Sequence, residues 1–255
     1  MDKLPTLIFD LDDTLVHCQP AYDQVYNAFD VLMTTPDFPP GFPRRLAKAI
    51  DDESKQLAEG FSRARLPRAF QAASVALDVL SEHEVDHQRA TEAWKLGNTV
   101  FAAEYPLISG ARETLLHYSR GGWQLVLYSL GDEGVQWRKI TAHKLEKIVS
   151  PENIFITSCK SAGVLLDILN RVRADKARTW VIGDSFKHDI VPAVEVGVGS
   201  IFVGKQLPLP IAELAVEQVS WMTKFVPGDP YLHTAYVQSH IKPPANTGSG
   251  ITHRA

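Results

Sequence analysis

Five short apolar runs, each ending in polar or glycine residues, mark the chain at Thr6-Phe9, Gln124-Tyr128, Ile154-Thr157, Thr179-Ile182 and Ser200-Val203. Runs of this length without polar alternation predict strands buried on both faces. From Ser109 onward they alternate with stretches of helical spacing at Gly110-Arg120, Glu133-Lys147, Gly163-Val172 and Ile190-Val196. A strand–helix series of this kind predicts an α/β fold, a three-layer Rossmann-like core with a mainly parallel sheet between two helical layers.

The first two runs break the rhythm, because roughly a hundred residues lie between them where one crossover needs about a dozen. Within that gap Tyr22, Val25, Tyr26, Phe29, Leu32 and Met33 recur at helical spacing, and Arg44-Phe61, Ala69-Leu80 and Val85-Ala103 continue it. The pattern predicts a helical cap over residues 17–104, inserted into a discontinuous core of 1–16 and 105–225. Prolines punctuate the cap: Pro36, Pro39, Pro40 and Pro43 cluster with Gly41 in one expected loop, and Pro67 is expected to end a helical run. Past Val203 the pattern weakens to one helix at Ile211-Val219 and a turn at Pro227-Gly228-Asp229-Pro230. Residues 226–255 read as a partly mobile C-terminal extension, since 241–255 hold too few apolar side chains to offset their ordering entropy.

Composition narrows the partners. In 255 residues, 45% of them hydrophobic, there is material for a full core. The 26 basic and 30 acidic residues form no Lys/Arg-rich run that could track a nucleic-acid backbone, so no nucleic acid is expected. No stretch approaches the length of a membrane span, and the acids near the N-terminus leave no signal-peptide apolar region. Cys18 and Cys159 stand far apart in no metal-like spacing, and a reducing, cytoplasmic setting without a disulfide is expected.

Chemistry concentrates where the runs end. Asp10 and Asp12 are two apart at the end of the first run and therefore face the same side of an extended chain. Beyond the carboxyl ends of parallel strands lies the crevice where ligands bind. The fourth run ends in Gly183-Asp184-Ser185-Phe186-Lys187-His188-Asp189, which adds Asp184 and Asp189. Four acids gathered there repel one another unless a cation is present, and hard oxygen ligands of this kind select magnesium. Ser129, ending the second run, offers a hydroxyl to an anion, and Lys160, after the third, offers a positive charge. Asp13 and Asp132 read as solvated or capping residues, and Thr14 as a local brace for the loop after Asp10.

In this order, Asp10-Leu11-Asp12-Asp13-Thr14, Ser129, Lys160 and Gly183-Asp184…Asp189 resemble the four motifs of the haloacid dehalogenase superfamily, across Thr6 to Val203. The resemblance implies a phosphohydrolase acting on a small-molecule phosphate ester. Asp10 would be its nucleophile, forming an aspartyl-phosphate, and Asp12 its general acid and then base, neutral when substrate binds. It also implies magnesium held by Asp10, Asp184 and the Asp12 backbone carbonyl. Asp189 completes the metal set by orienting a bound water or Lys160, while Ser129 and Lys160 clamp the phosphoryl group. Dehalogenases of the superfamily lack an aspartate two residues after the nucleophile, so Asp12 selects phosphoryl transfer.

Other readings remain open at this stage. A phosphomutase uses the same four motifs, and a non-catalytic binding protein could keep the fold. His83-Glu84-Val85-Asp86-His87 has the spacing of a zinc-peptidase motif. Here Asp86 reads as the N-cap of a helix over His87-Leu96, which would leave His83 outside it. For substrate choice the candidates are His17 and Gln19 after the first motif, and Arg63, Arg65 and Arg68 around Pro67. Any of these could meet a second anionic group on the substrate. Neither the particular ester nor the oligomeric state is legible.

Overall fold

The computed structural model describes residues 3–55 and 61–203, with the backbone of 223–225. Five expected strands form: β1 (Leu4–Phe9), β2 (Gln124–Leu130), β3 (Ile154–Thr157), β4 (Ala174–Gly183) and β5 (Gly199–Phe202). A short β6 (Thr223–Phe225), which has no counterpart among the apolar runs, joins the edge. The sheet order is β3-β2-β1-β4-β5-β6, and every neighbouring pair is parallel. β1 is therefore central, with β2 on one side and β4 on the other, and the crevice where the winding reverses opens above its carboxyl end.

Alternation along β1 builds the layers. Leu7 and Phe9 point to one face, into a core shared with Leu125, Leu127 and the helices α5 (Ala111–Arg120) and α6 (Glu133–Ala142). Ile8 points to the other, with Val126, Val181 and the helices α7 (Ala162–Arg171) and α8 (Val191–Val196). Each fully buried Leu, Ile or Phe contributes about 1.5–3 kcal/mol. β4 begins five residues earlier than its apolar run because the polar stretch from Ala174 to Arg178 pairs beside the sheet's end, where β1 and β4 shift register between Leu4 and Thr6.

Between β1 and β2 stand α1 (Gln19–Leu32), α2 (Phe42–Ser54), α3 (Arg65–Leu80) and α4 (His87–Thr99). They enclose a core of their own, in which Phe29 meets Phe70 at 4.4 Å between ring centroids, with Tyr26, Leu66, Leu77, Ala93 and Val100 around them. Gly97 of α4 lies so close to α3 that a Cβ there would stand 2.8 Å from Pro67 Cα. Pro67 does not end a helix, as its position in the sequence suggested. It sits in the first turn of α3, where its missing N–H would have no intrahelical partner anyway. The strands entering and leaving this insert are pinned together by His17 N–H to Pro106 O (2.8 Å) and Ile108 N–H to Leu15 O (2.8 Å).

Asp86 caps α4, accepting the Arg89 N–H at 2.9 Å, and Asp132 caps α6, accepting that of Val135 at 3.0 Å. No described helix is long and apolar enough to cross a membrane. The helix expected over Ile211-Val219, the turn at 227–230 and the extension 226–255 lie outside the described residues.

Candidate active site

The chain turns out of β1 directly into Asp10, whose N–H bonds Ile182 O of β4 at 2.9 Å. Its carboxylate is buried and meets the Lys160 ammonium at 2.6 Å through Oδ1. The same ammonium donates to Asp189 Oδ1, also at 2.6 Å. Lys160 is thus a buried bridge between two carboxylates from different strand ends, and it stands 4.9 Å from the centre of the Tyr128 ring. These two carboxylates outweigh burial and hold its proton more tightly than an ordinary lysine does.

Asp184 follows β4, and Asp189 follows on a short wide helical turn, Phe186–Ile190, started by Ser185. Asp189 folds back so that its Oδ2 accepts the Ser185 N–H at 3.0 Å. Gly183 makes this possible, since a Cβ there would stand 2.3 Å from Asp189 Cγ. Both Asp189 oxygens are engaged, whereas among the described residues no donor reaches the Asp184 carboxylate or the second oxygen of Asp10. Burial pushes the Asp10 carboxyl up against the pull of Lys160, helped by Asp189 and Asp12; burial, then Asp10 and Asp189, do the same to Asp184. Oxygens of Asp10, Asp184 and Asp189 lie within 4.8 Å of one another, the spacing of a cation site. The unspent oxygens of Asp10 and Asp184, held close to Asp189 against their mutual repulsion, fit a divalent ion such as magnesium.

Asp12 has a different partner from any the sequence suggested. The ammonium of Lys139, buried on α6, donates to both of its carboxylate oxygens at 2.8 Å. Gln136, one turn earlier and also buried, offers its amide to Asp12 Oδ2 (3.1 Å), Ser129 Oγ (2.7 Å) and Leu130 O (3.1 Å). Ser129 is therefore tied to Asp12 through Gln136 and leaves its own proton to donate. In this geometry Asp12 is one half of an ion pair, where the sequence reading had it neutral in the first step. The signal for these two residues was present: Gln136 and Lys139 share the inward face of α6 with Ile140, so two polar side chains occupy positions a helix normally gives to apolar ones.

The remaining expectations divide. Asp13 is a cap: with φ at 53° its Oδ1 accepts the N–H groups of Cys18 (2.9 Å) and Gln19 (3.0 Å) at the start of α1. Thr14 does not brace the loop by a hydrogen bond, for its buried hydroxyl has no partner among the described residues. His83 and His87 are exposed, and His83 lies outside α4, so the two do not share a helix face. The only group of metal-competent side chains among the described residues is the aspartate triad, which removes the zinc-peptidase reading.

Above the triad lies a cavity of about 360 Å³, walled on its far side by the helical insert. Asp10, Asp12, Asp184 and Lys160 line its floor, while Gln19, Tyr22, Lys48, Lys55 and Arg65 face them from the insert. Of the arginines singled out in the sequence, only Arg65 reaches it; Arg63 lies over the Phe101 ring and Arg68 lines a separate surface groove with Val75 and Val79.

The sequence matches the family model described as haloacid dehalogenase-like hydrolase over residues 4–197. No curated protein sequence matches the chain. Among solved structures, a haloacid dehalogenase-like family hydrolase from Xanthomonas campestris is 19% identical and superposes with a TM-score of 0.72, covering 94% of this chain and 93% of its own. A Bacillus subtilis protein of the same kind, solved bound to magnesium, is 17% identical with a TM-score of 0.57, over 82% of this chain and 92% of its own. A haloacid dehalogenase-type phosphatase from Thermococcus onnurineus is 12% identical with a TM-score of 0.56, over 94% and 100%. At these identities the structures speak to the fold.

Proposed function

Because the chain belongs to the haloacid dehalogenase-like hydrolases, we propose that it is a magnesium-dependent phosphohydrolase of small phosphate esters, with Asp10 as nucleophile. The observation that carries this reading is Asp12, held two residues from Asp10 by Lys139 and Gln136 at the edge of the same cavity. A site that releases halide has no use for a second carboxyl there, because no alkoxide needs a proton.

In the proposed reaction an Asp10 oxygen attacks phosphorus and forms a new P–O bond as the ester P–O bond breaks. Lys160, already against Asp10, supplies positive charge to the transferring phosphoryl group and keeps the attacking carboxylate in place. Ser129 donates its hydroxyl proton toward the same group, its oxygen fixed by Gln136. Asp12 takes up a proton from solvent as substrate binding draws it away from Lys139, gives that proton to the departing alkoxide, and then takes one from the water that attacks the aspartyl-phosphate. That second attack breaks the acyl-phosphate P–O bond, releases inorganic phosphate and restores Asp10. Magnesium would be held by Asp10, Asp184 and the Asp12 backbone carbonyl, with Asp189 orienting a bound water or Lys160, and would supply charge neutralisation between carboxylate and phosphate. Residues 17–104 serve as a cap that keeps bulk water from the core formed by 1–16 and 105–225.

The test is release of inorganic phosphate from a panel of phosphorylated metabolites with and without magnesium. Release that needs the metal and disappears in Asp10→Asn is expected. Undiminished release in Asp10→Asn sinks the reading, and a phosphorylated isomer in place of free phosphate, seen by phosphorus NMR, would make the protein a mutase.

A further inference from the structure

The two walls of the cavity carry opposite charge. Its floor holds Asp10, Asp12, Asp184 and Asp189, the place of the reacting phosphate and its counter-ion. Across from them the insert presents Lys48 and Lys55 at α2 and Arg65 at the start of α3. The acids that face these cations among the described residues are Asp51 and Asp52, so the wall has three positive charges against two negative.

How those charges are spent matters more than their number. Lys48 meets Asp52 at 3.4 Å in a solvent-exposed pair that holds the side chain by only about 0.2–1 kcal/mol, while the half-buried Lys55 meets Asp52 at 2.6 Å and the buried Asp51 at 3.7 Å. The Lys48 ammonium can turn to a ligand at little cost, and Lys55 keeps a contact with Asp51 from which it can share its charge. Arg65 is different, with its side chain only 10% exposed. Its Nη1 bonds the buried Asp51 carboxylate, yet its buried Nε–H has no partner among the described residues. A buried donor left unmade costs about 1–3 kcal/mol, and a guanidinium edge is shaped for a carboxylate or phosphate. The Phe61 ring lies 5.6 Å from this guanidinium and shields it from water on one side.

We propose that this cap-side wall binds a second anionic group on the leaving alcohol, so that the substrates are phosphorylated acids or bisphosphates in preference to neutral phosphate esters. The inference rests on the phosphohydrolase reading and names the substrate class of that site. Phosphate sits on the floor beside Lys160; the second anion reaches Arg65, Lys48 and Lys55.

The test compares kcat/KM of the magnesium-loaded enzyme for three esters of similar size: glycerol phosphate, phosphoglycerate, and a propanediol bisphosphate. One or both doubly anionic esters should exceed glycerol phosphate by about tenfold or more, as expected for one charge-assisted contact. Which of the two is faster separates carboxylate from phosphate as the second group. The double variant Lys48→Met/Lys55→Met should lose most of that preference through KM while leaving glycerol phosphate turnover within about twofold. Arg65→Met should lose it too, but it also strands Asp51, whereas in the lysine variant Arg65 still pairs with Asp51, so that variant keeps the fold. Equal kcat/KM for all three esters overturns the inference and leaves the phosphohydrolase reading standing. So does a preference that survives the lysine substitutions. Absence of Asp10-dependent phosphate release from any of them overturns both.

Discussion

Replacing Lys139 by methionine keeps the side-chain stem in its buried slot on α6 and deletes the ammonium that faces both oxygens of Asp12 at 2.8 Å. The pair is asymmetric: the Lys139 side chain is 2% exposed and that of Asp12 34%. Removing the ammonium leaves a carboxylate that water reaches, so after discounting for that exposure the loss of stability is about 1–2 kcal/mol. Removing the carboxylate instead, in Asp12→Ala, strands a buried ammonium 4.8 Å from the centre of the Tyr105 ring. The ring returns only part of the penalty, and about 3–4 kcal/mol is expected. Urea unfolding of the two single variants and of Asp12→Ala/Lys139→Met closes a double-mutant cycle. The double variant should be more stable than Asp12→Ala, with a coupling of about 1–3 kcal/mol. In phosphate release, Lys139→Met should lower kcat by about 10–100-fold with KM nearly unaltered, the signature of a misplaced reacting group. Stability losses that add to within about 0.5 kcal/mol, together with an unchanged kcat, would refute the pairing.

Gly183→Ala should displace Asp189, since the added Cβ would fall 2.3 Å from its carboxylate carbon; phosphate release should drop by more than tenfold while far-UV circular dichroism stays native. Saturating magnesium should raise the midpoint of thermal unfolding, by linkage to the folded state, and Asp184→Asn should abolish the rise in a calorimetric scan. Asp86→Ala should cost about 1 kcal/mol in urea unfolding through loss of the α4 cap, and zinc should shift neither its stability nor that of the wild type.

Strand ends were legible because the doubly wound sheet buries its strands on both faces and exposes them only at the crevice, so the first, second and fourth apolar runs stop beside candidate site residues. Asp10, Ser129 and Asp184 follow from that geometry, and Lys160 from the loop after β3. The helices of the insert showed through their 3.6-residue spacing, and Pro67 misled because proline interrupts a helix interior but fits its first turn. Lys139 and Gln136 escaped notice for a different reason. Their only trace in the sequence is a pair of polar side chains at helical spacing beside Ile140, and beside Arg138 such a pair reads as a solvated face until the sheet is known to lie beneath it. The same holds for the helical insert. Arg63, Arg65 and Arg68 are indistinguishable by spacing, and only packing against Asp51 turns Arg65 toward the cavity. β6 has three residues and no apolar run to announce it.

The nucleophile is tested most directly by mixing the magnesium-loaded enzyme with a hydrolysable ester, quenching in acid within one turnover and weighing the peptide that contains Asp10. One phosphoryl group on that peptide, absent from Asp10→Asn and cleared on longer incubation, is the predicted result. Phosphate release at the wild-type rate without any phosphorylated Asp10 peptide would contradict it.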